Sequence, residues 1–427
     1  MAAHTERVLL YEEALAEVLR VAEELRSTRP PKVERVPLLE AHGRVLAQAI
    51  RADRDQPPFP RSTRDGFAVR AADVGGDGKK LRVAGTVRAG ERWTGPALAA
   101  FEAIEIMTGA PVPEGADAVL MLEHAEFAAG WLMPEPGRVL AVGENVVGQA
   151  AEAQAGTEVV PAGRWIAPAE IALAATCGCA GLQVYVPPSV AILATGDELV
   201  DVTEQPQPWQ IRNSNSYALA ALVGAEGGRA IRLPCARDSA EDLRGRVAEG
   251  REANLLLLSG GVSMGKYDLV EDVLREAGAE FLFTGARIQP GRPVVFGRLP
   301  QNQRAGRSNQ QMGEPDWLYF FGLPGNPIST EVCFRLFVTP LLRALAGRSE
   351  LAPRFAEARL SVDVRAAKVT RFLPAEIRGD WRAVEVRPVP WQGSGDLAAN
   401  ARANGFVVLP LQQDGFRAGE TVRVLMR

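Results

Sequence analysis

Leu255-Leu256-Leu257-Leu258-Ser259-Gly260-Gly261-Val262-Ser263-Met264-Gly265 is the stretch whose reading decides the fold. Four consecutive leucines read as a strand buried on both faces, the situation in a parallel sheet covered by helices. Ser259-Gly260-Gly261 breaks the strand, where missing Cβ atoms let the backbone turn sharply and approach a ligand. A helical pattern follows, with Leu269, Val270, Val273 and Leu274 on one side and Gly278 just past its end. A strand, a glycine loop and a helix N-terminus together present free N–H groups and a positive dipole end to an anion. Neither the P-loop pattern nor the dinucleotide fingerprint is present. The same glycines also suit a tight turn of purely structural purpose.

Outward from this stretch the alternation is regular. The pattern predicts strands at Val190 to Ala194, Ala230 to Leu233, Asn254 to Leu258, around Phe281, at Val294 to Phe296 and at Leu318 to Phe321. Helices are predicted at Ser216 to Ala225, Asp238 to Glu252, Tyr267 to Ala277 and Ile328 to Leu345. Repeated βα units mean a doubly wound sheet with ligands at the carboxyl ends of its strands. Gln301 to Asp316, rich in Gln, Asn and Arg, reads as a mobile surface loop. Upstream, residues 6–28 read as an amphipathic helix on Leu10, Ala14, Val18, Val21 and Leu25, ended by Arg29-Pro30-Pro31. From Asp53 to Asn145, short apolar runs cut by Gly and Pro predict a β module. A helix at Pro168 to Thr176 suggests that the chain then rejoins its first segment. The expected domains are 1–52 with 146–187, an inserted β domain at 53–145, an α/β domain at 188–346 and a small β-barrel-like domain at 347–427. In that tail, Val362, Val364, Val384, Val386, Val422 and Val424 mark short strands.

Composition bounds the function. The chain has 427 residues, a net charge near −4 and 47% hydrophobic residues, which is ordinary globular composition. No broad basic face is available to neutralise phosphates, which argues against nucleic acid as a partner. No apolar run approaches a membrane span. Four cysteines without paired spacing suggest a reducing, cytoplasmic setting, and Cys177-Gly178-Cys179 reads as small buried residues, because three histidines in the whole chain leave a zinc site short of ligands.

Polar clusters follow several predicted strands and would gather at one sheet edge: Thr195-Gly196-Asp197-Glu198, Arg237-Asp238, Asp268, and Leu323-Pro324-Gly325-Asn326-Pro327. Carboxylates beside a phosphate cradle suit Mg²⁺, which takes one or two carboxylates together with phosphate and water. Asp238 and Asp268 could equally cap helices. Glu198 has no such explanation and points to the metal. In the β module, Asp65-Gly66 alone would be turn chemistry.

These motifs are similar to those of the molybdopterin molybdenumtransferase family, shared in outline with the gephyrin E domain. The resemblance lies in Asp-Gly-Phe-Ala at 65–68, Met-Thr-Gly-Ala-Pro-Val-Pro at 107–113 and Ala-Thr-Gly-Asp-Glu-Leu at 194–199. It continues in Ser-Gly-Gly-Val-Ser-Met-Gly at 259–265, Leu-Pro-Gly-Asn-Pro at 323–327 and Gly-Ser-Gly-Asp-Leu at 393–397. The motifs follow the family order and cover nearly the whole chain. The resemblance implies that adenylylated molybdopterin and molybdate give molybdenum cofactor and AMP with Mg²⁺ assistance. It implies catalytic roles for Asp65, Thr108, Glu198 and Asp268, and Mg²⁺ contacts from Glu198, Asp238 and Asp268. Ser259, Gly260, Gly261, Val262, Ser263 and Gly265 would cradle pterin and phosphate. Pro324, Gly325, Asn326, Gln289, Arg292 and Ser394 would complete the binding set, with Arg371 a further basic group beside Ser394. A homodimer is implied, its sites shared because the β module faces the partner's sheet edge, and other cofactor-biosynthesis proteins are implied as partners. Three positions depart from the family pattern: Arg64 stands where Met is usual, Asn145 where Asp is usual, and Gln289-Pro290-Gly291-Arg292 where Lys-Pro-Gly-Lys is usual. The last removes a positive charge from the expected oxyanion site. Two other readings share these residues, a non-catalytic molybdopterin-binding carrier or scaffold and a molybdopterin adenylyltransferase.

Overall fold

The computed structural model describes residues 7–75, 79–261, 269–301, 316–365, 367–411 and 415–427. Asp268, Val262, Ser263 and Gly265, and most of the polar stretch between Gln301 and Asp316, lie outside the described residues.

The centre of the molecule is a six-stranded sheet. In chain order it comprises β1 (Ser189–Ala194), α1 (Ser214–Ala225), β2 (Arg229–Arg232), α2 (Ala240–Gly250), β3 (Leu255–Ser259), α3 (Leu269–Glu276), β4 (Glu280–Phe283), β5 (Val295–Pro300) and β6 (Trp317–Leu323). The spatial order is β2-β1-β3-β6-β5-β4. The four leucines of β3 are fully buried and alternate between two cores. Leu255 and Leu257 join one cluster with Val190, Ile192 and Phe321, while Leu256 and Leu258 join another with Leu193, Leu274 and Phe320. A strand with both faces covered needs no polar alternation, which is why this run is uniformly apolar.

The sheet is not wholly parallel. β2, β1, β3 and β6 run parallel, but β5 pairs antiparallel with β6 and β4 antiparallel with β5. Reversal of β5 places its N-terminal end, with Pro293 just before it, at the carboxyl edge of the parallel strands. After β6 the chain continues helically through Pro327–Cys333, a π turn at Phe334–Val338 and Thr339–Leu345.

The remaining chain supports this core. The first helix spans Tyr11–Thr28 rather than beginning at residue 6. Leu10 is its exposed N-cap residue, and Val8–Leu9 instead pair with Gly285–Ala286. Its apolar stripe, Ala14, Val18, Val21, Ala22 and Leu25, packs into the first sheet cluster. Val33–Pro37 pairs with Gly181–Tyr185, and Ile50–Arg51 with Glu158–Val160, so chain on either side of the β module is joined by strands. The β module has its own six-stranded sheet, running from Gly66–Val69 to Trp131–Pro134 in sequence. In the C-terminal region, Phe355–Leu360, Thr370–Gly379, Val384–Pro388, Gly405–Leu409 and Thr421–Met426 close into a five-stranded barrel. Val362 falls outside its strands, and Val364 makes only an isolated bridge to Phe416. The helices named above include none long and apolar enough to cross a membrane, nor does any other described helix.

Candidate functional site

A cavity of about 310 Å³ opens at the carboxyl edge of the central sheet, lined by Thr195, Gly196, Glu198, Asp238, Gly260, Gly261, Pro293, Pro324, Gly325 and Asn326. In order β2-β1-β3 the connection reverses direction between β1 and β3, which opens a crevice where α/β sheets bind ligands. The loops after β1 and β3 form its floor.

Glycine is obligatory there. Gly260 and Gly261 have φ of +89° and +65°, and a Cβ on Gly260 would stand 2.7 Å from the Thr195 carbonyl oxygen. At Gly261 a Cβ would meet Thr195 Cγ2 and Val270 Cγ2, both at 2.7 Å. Gly325, in the loop after β6, also lines the cavity, and a Cβ there would make only an ordinary contact, 3.7 Å from the Gly260 Cα. Two loops that carry glycines therefore border the same cavity.

Ser259 does not line the cavity. It is 2% exposed, and its hydroxyl accepts from Asn215 Nδ2 at 3.0 Å. The same amide nitrogen donates to the Gly325 carbonyl at 2.8 Å and lies 3.4 Å from Thr330 Oγ1. Asn215, in the first turn of α1, thus ties the glycine loop to the Pro-Gly loop. Sequence reasoning missed it. The one available signal was the run Asn213-Ser214-Asn215-Ser216, richer in polar side chains than a cap needs, since Asn213 already accepts from Ser216 N.

The carboxylates are held by the opposite wall. Asp238 is not the cap of α2; Ser239 takes that place, accepting from Asp242 N. Asp238 Oδ1 instead accepts from Thr195 Oγ1 at 3.0 Å, and Oδ2 from Asp197 N at 3.4 Å. Asp197 Oδ1 accepts in return from Asp238 N at 3.2 Å, so the loops after β1 and β2 are cross-linked. Glu198 folds back over Gly196, where a Cβ would be 2.5 Å from Glu198 Oε2. The concentration of negative charge is felt by Cys235: burial, then Glu198, Asp238, Asp242 and Asp197, push its thiol up to about 11.

The other end of the cavity carries donors. Asn326 precedes a helix but does not cap it; Nδ2 donates to Ser394 Oγ at 2.9 Å. Pro293, which follows the Gln289–Arg292 turn, lines the cavity, and Gln289 pairs in register with Arg371 of the barrel. Arg371 Nε is buried without a hydrogen-bond partner among the described residues, and burial lowers the guanidinium pKa.

Asp65 and Thr108 lie elsewhere, together, on the exposed face of the β module. Asp65 Oδ1 accepts from Thr108 N at 2.6 Å and Thr108 Oγ1 at 2.7 Å, which holds its carboxyl below the usual range. Gly66 is fixed by strand packing, since a Cβ would stand 2.1 Å from the Leu120 carbonyl oxygen. Asn145 sits at φ +61° and donates from Nδ2 to the Val119 carbonyl, while its own carbonyl accepts from Thr63. Asn tolerates that left-handed conformation, which gives this departure a local structural basis.

With this geometry in place, comparison with known proteins is direct. Residues 9–178 match the MoeA N-terminal region (domain I and II), 191–344 the probable molybdopterin binding domain, and 357–426 the MoeA C-terminal region (domain IV). The chain belongs to the molybdopterin molybdenumtransferase family. Curated relatives of that name from Staphylococcus aureus and Bacillus subtilis are 32% identical over 92% of this chain and 90% of theirs. One from Nostoc is 33% identical over 92% of this chain and 88% of its own. A crystal structure of a molybdopterin biosynthesis MoeA protein from Pyrococcus horikoshii is similar with TM-score 0.69 and 30% identity, covering 98% of this chain and 99% of that one. A second structure from that source gives TM-score 0.74 at 26% identity, over 99% of this chain and 100% of the other. Family membership places the chain among transferases of molybdenum cofactor biosynthesis.

Proposed function

We propose that the cavity is the active site of a Mg²⁺-assisted molybdenumtransferase, which converts adenylylated molybdopterin and molybdate into molybdenum cofactor and AMP. The observation that carries this reading is the joining, in one cavity, of two carboxylates, a glycine-only backbone wall and a donor-rich end. Family membership supports the substrate class.

Among the described residues there is no group of three or more His, Cys, Asp or Glu placed to hold a metal. Mg²⁺ does not need one. It keeps several waters and binds through one or two carboxylates plus phosphate, so the hard oxygens of Glu198 and Asp238 fit it. When bound, it neutralises charge on the phosphoanhydride. Asp238 retains lone pairs beyond its two hydrogen bonds, and Glu198 presents its carboxylate at the cavity surface. Backbone of Gly260, Gly261 and Gly325 admits the phosphates at close range. Asn326 and Ser394 would orient the oxyanion end, where Arg371 would supply a charge whose Nε has no hydrogen-bond partner among the described residues. Gln289 and Arg292 border that end from the turn before β5. The resemblance adds Asp268, Val262, Ser263 and Gly265 to this set, and they lie outside the described residues.

Asp65 and Thr108 stand exposed on a separate module, and a second copy of the chain would bring such a pair to a sheet edge. We therefore place the enzyme as a cytoplasmic homodimer with shared sites, working beside other proteins of cofactor biosynthesis.

The test is incubation of the full chain with adenylylated molybdopterin, Mg²⁺ and molybdate, following AMP and active cofactor together. Both should rise in step, and Glu198→Gln should lower both while leaving thermal unfolding unchanged. AMP release without cofactor formation, or neither, would overturn the reading in favour of a hydrolase or a carrier.

A further inference from the structure

Between Val200 and Ile211 the chain leaves the cavity wall, runs out over the surface and returns. Its two ends are fixed to the site itself. Leu199–Val200 pairs in parallel with Ile211–Arg212, and Ile211 N donates to the Glu198 carbonyl at 2.8 Å. The excursion is braced within. The Asp201 carboxylate accepts from Thr203 N at 3.2 Å, Thr203 Oγ1 at 3.1 Å and Tyr217 Oη at 3.3 Å. The Tyr217 ring lies under the Arg232 guanidinium, 3.8 Å from the ring centroid. At the tip, Gln210 N donates to the Gln207 carbonyl at 2.9 Å and Gln207 N to Gln210 Oε1 at 3.1 Å. Pro208 occupies the turn position for which its fixed φ is suited. What this braced turn presents is the indole of Trp209, 74% exposed, beside Ile211 at 59% and Val202 at 39%.

A lone exposed apolar side chain needs no explanation. An indole on a turn held at both base and tip, two residues from a strand bonded to Glu198, is a different matter. Two residues of chain span at most about 7 Å, so the backbone of Trp209 stays beside the Leu199–Val200 strand that follows Glu198. Glu198 belongs to one particular end of the cavity. The loops after β1, β3 and β6 succeed one another across the sheet, with Trp209 and Glu198 on the β1 side and Asn326, Ser394 and the Gln289–Arg292 turn on the far side. A phosphoanhydride over the central glycine loop must send its dithiolene half toward the oxyanion end. The adenosine half is then left on the Trp209 side.

We propose that Trp209 is the stacking platform for the purine ring of the adenylylated substrate. This rests on the reading of the cavity as a phosphoanhydride site and adds to it a nucleobase subsite. Base-aromatic stacking contributes about 1–3 kcal/mol, and the braced turn keeps the entropic cost of ordering the ring small.

The experiment is calorimetric titration of the full chain, in Mg²⁺, with AMP and separately with ribose 5-phosphate, for wild type, Trp209→Phe and Trp209→Ala. Trp209→Ala should weaken AMP roughly tenfold, the equivalent of about 1.4 kcal/mol, and leave ribose 5-phosphate unchanged; Trp209→Phe should retain most of the AMP affinity. An unchanged AMP affinity in Trp209→Ala, or an equal loss for both probes, would overturn the stacking subsite. So would a change of oligomeric state on sedimentation, which would mean that the indole is covered by a second copy. Wild-type chain that binds neither probe overturns the reading of the cavity itself, and wild-type chain that binds both equally overturns only the subsite.

Discussion

Replacing Asn215 by alanine removes a side chain that ties the end of β3 to the loop after β6. Its amide nitrogen donates to Ser259 Oγ at 3.0 Å and to the Gly325 carbonyl at 2.8 Å. Two lost hydrogen bonds of about 0.5–1.5 kcal/mol each put the destabilisation at about 1–3 kcal/mol. For a module of this size that corresponds to a fall of roughly 3–10 °C in the midpoint of its unfolding step. The larger effect is on chemistry. Asn215 ties the loops that carry Gly260 and Gly325, and misplacement of a reacting group by about 1 Å can cost on the order of a hundredfold in rate. Turnover should therefore fall by about ten- to a hundredfold in Asn215→Ala, while half-saturation by molybdate stays put. Asn215→Asp conserves volume but turns an acceptor toward the Gly325 carbonyl, so it should be worse than alanine. Steady-state AMP release against molybdate concentration, with thermal unfolding in parallel, separates the two terms. Wild-type turnover in Asn215→Ala at a lowered melting point would mean that the tie is purely structural. Wild-type values of both would refute the argument entirely.

Two further expectations follow from the rim and from the β module. Gln289→Lys places an ammonium beside a dianion, worth up to about 4 kcal/mol per charge at 4 Å and an effective dielectric near 20, and much less at this exposed position; half-saturation by molybdate should fall while AMP affinity holds, and identical titration curves would show that Arg371 and Arg292 already suffice. Asp65 is held below the usual carboxylate range, first by the Thr108 N–H and then by its hydroxyl, so the tie is fully formed above the ordinary carboxylate pKa and is lost as pH falls through the depressed one. Thr108→Val keeps the N–H and should raise the Asp65 pKa only part of the way, read by NMR titration of its carboxyl carbon; an unmoved pKa would remove the hydroxyl from the account.

Much of this site was legible in the sequence because its chemistry is local. The glycines after β3, the carboxylates after β1 and β2, and the turn after β6 each announce themselves by residue type at a strand end, and the four leucines fix the strand they follow. What was not legible depends on direction or on distance along the chain. Asp238 and Ser239 are equally good caps on paper; only the position of Thr195, 43 residues earlier, decides that Asp238 faces the neighbouring loop. Asn215 acts on a carbonyl 110 residues away. Asp65 and Thr108 sit 43 residues apart and still meet, a pairing that neither motif shows alone.

The direction of β5 has the widest consequence. Apolar runs around Val294 and Leu318 predict two strands but not their sense, and a parallel β5 would carry the Gln289–Pro293 turn to the opposite edge of the sheet. Because β5 runs antiparallel, the turn arrives at the cavity edge, where the α/β domain and the barrel both hold it. The helix after β6 supports it from beneath: Cys333 Sγ donates to the Gly291 carbonyl at 3.4 Å, and a Cβ on Gly291 would stand 2.6 Å from that sulfur. The barrel supports it from the side, through the pairing of Ile288–Gln289 with Thr370–Arg371. That pairing puts Arg371 next to the very position where this chain lacks the family lysine. The missing charge is thus flanked by a guanidinium whose buried Nε has no hydrogen-bond partner among the described residues, so on the proposed reading the loss at Gln289 is expected to weaken oxyanion binding rather than abolish it.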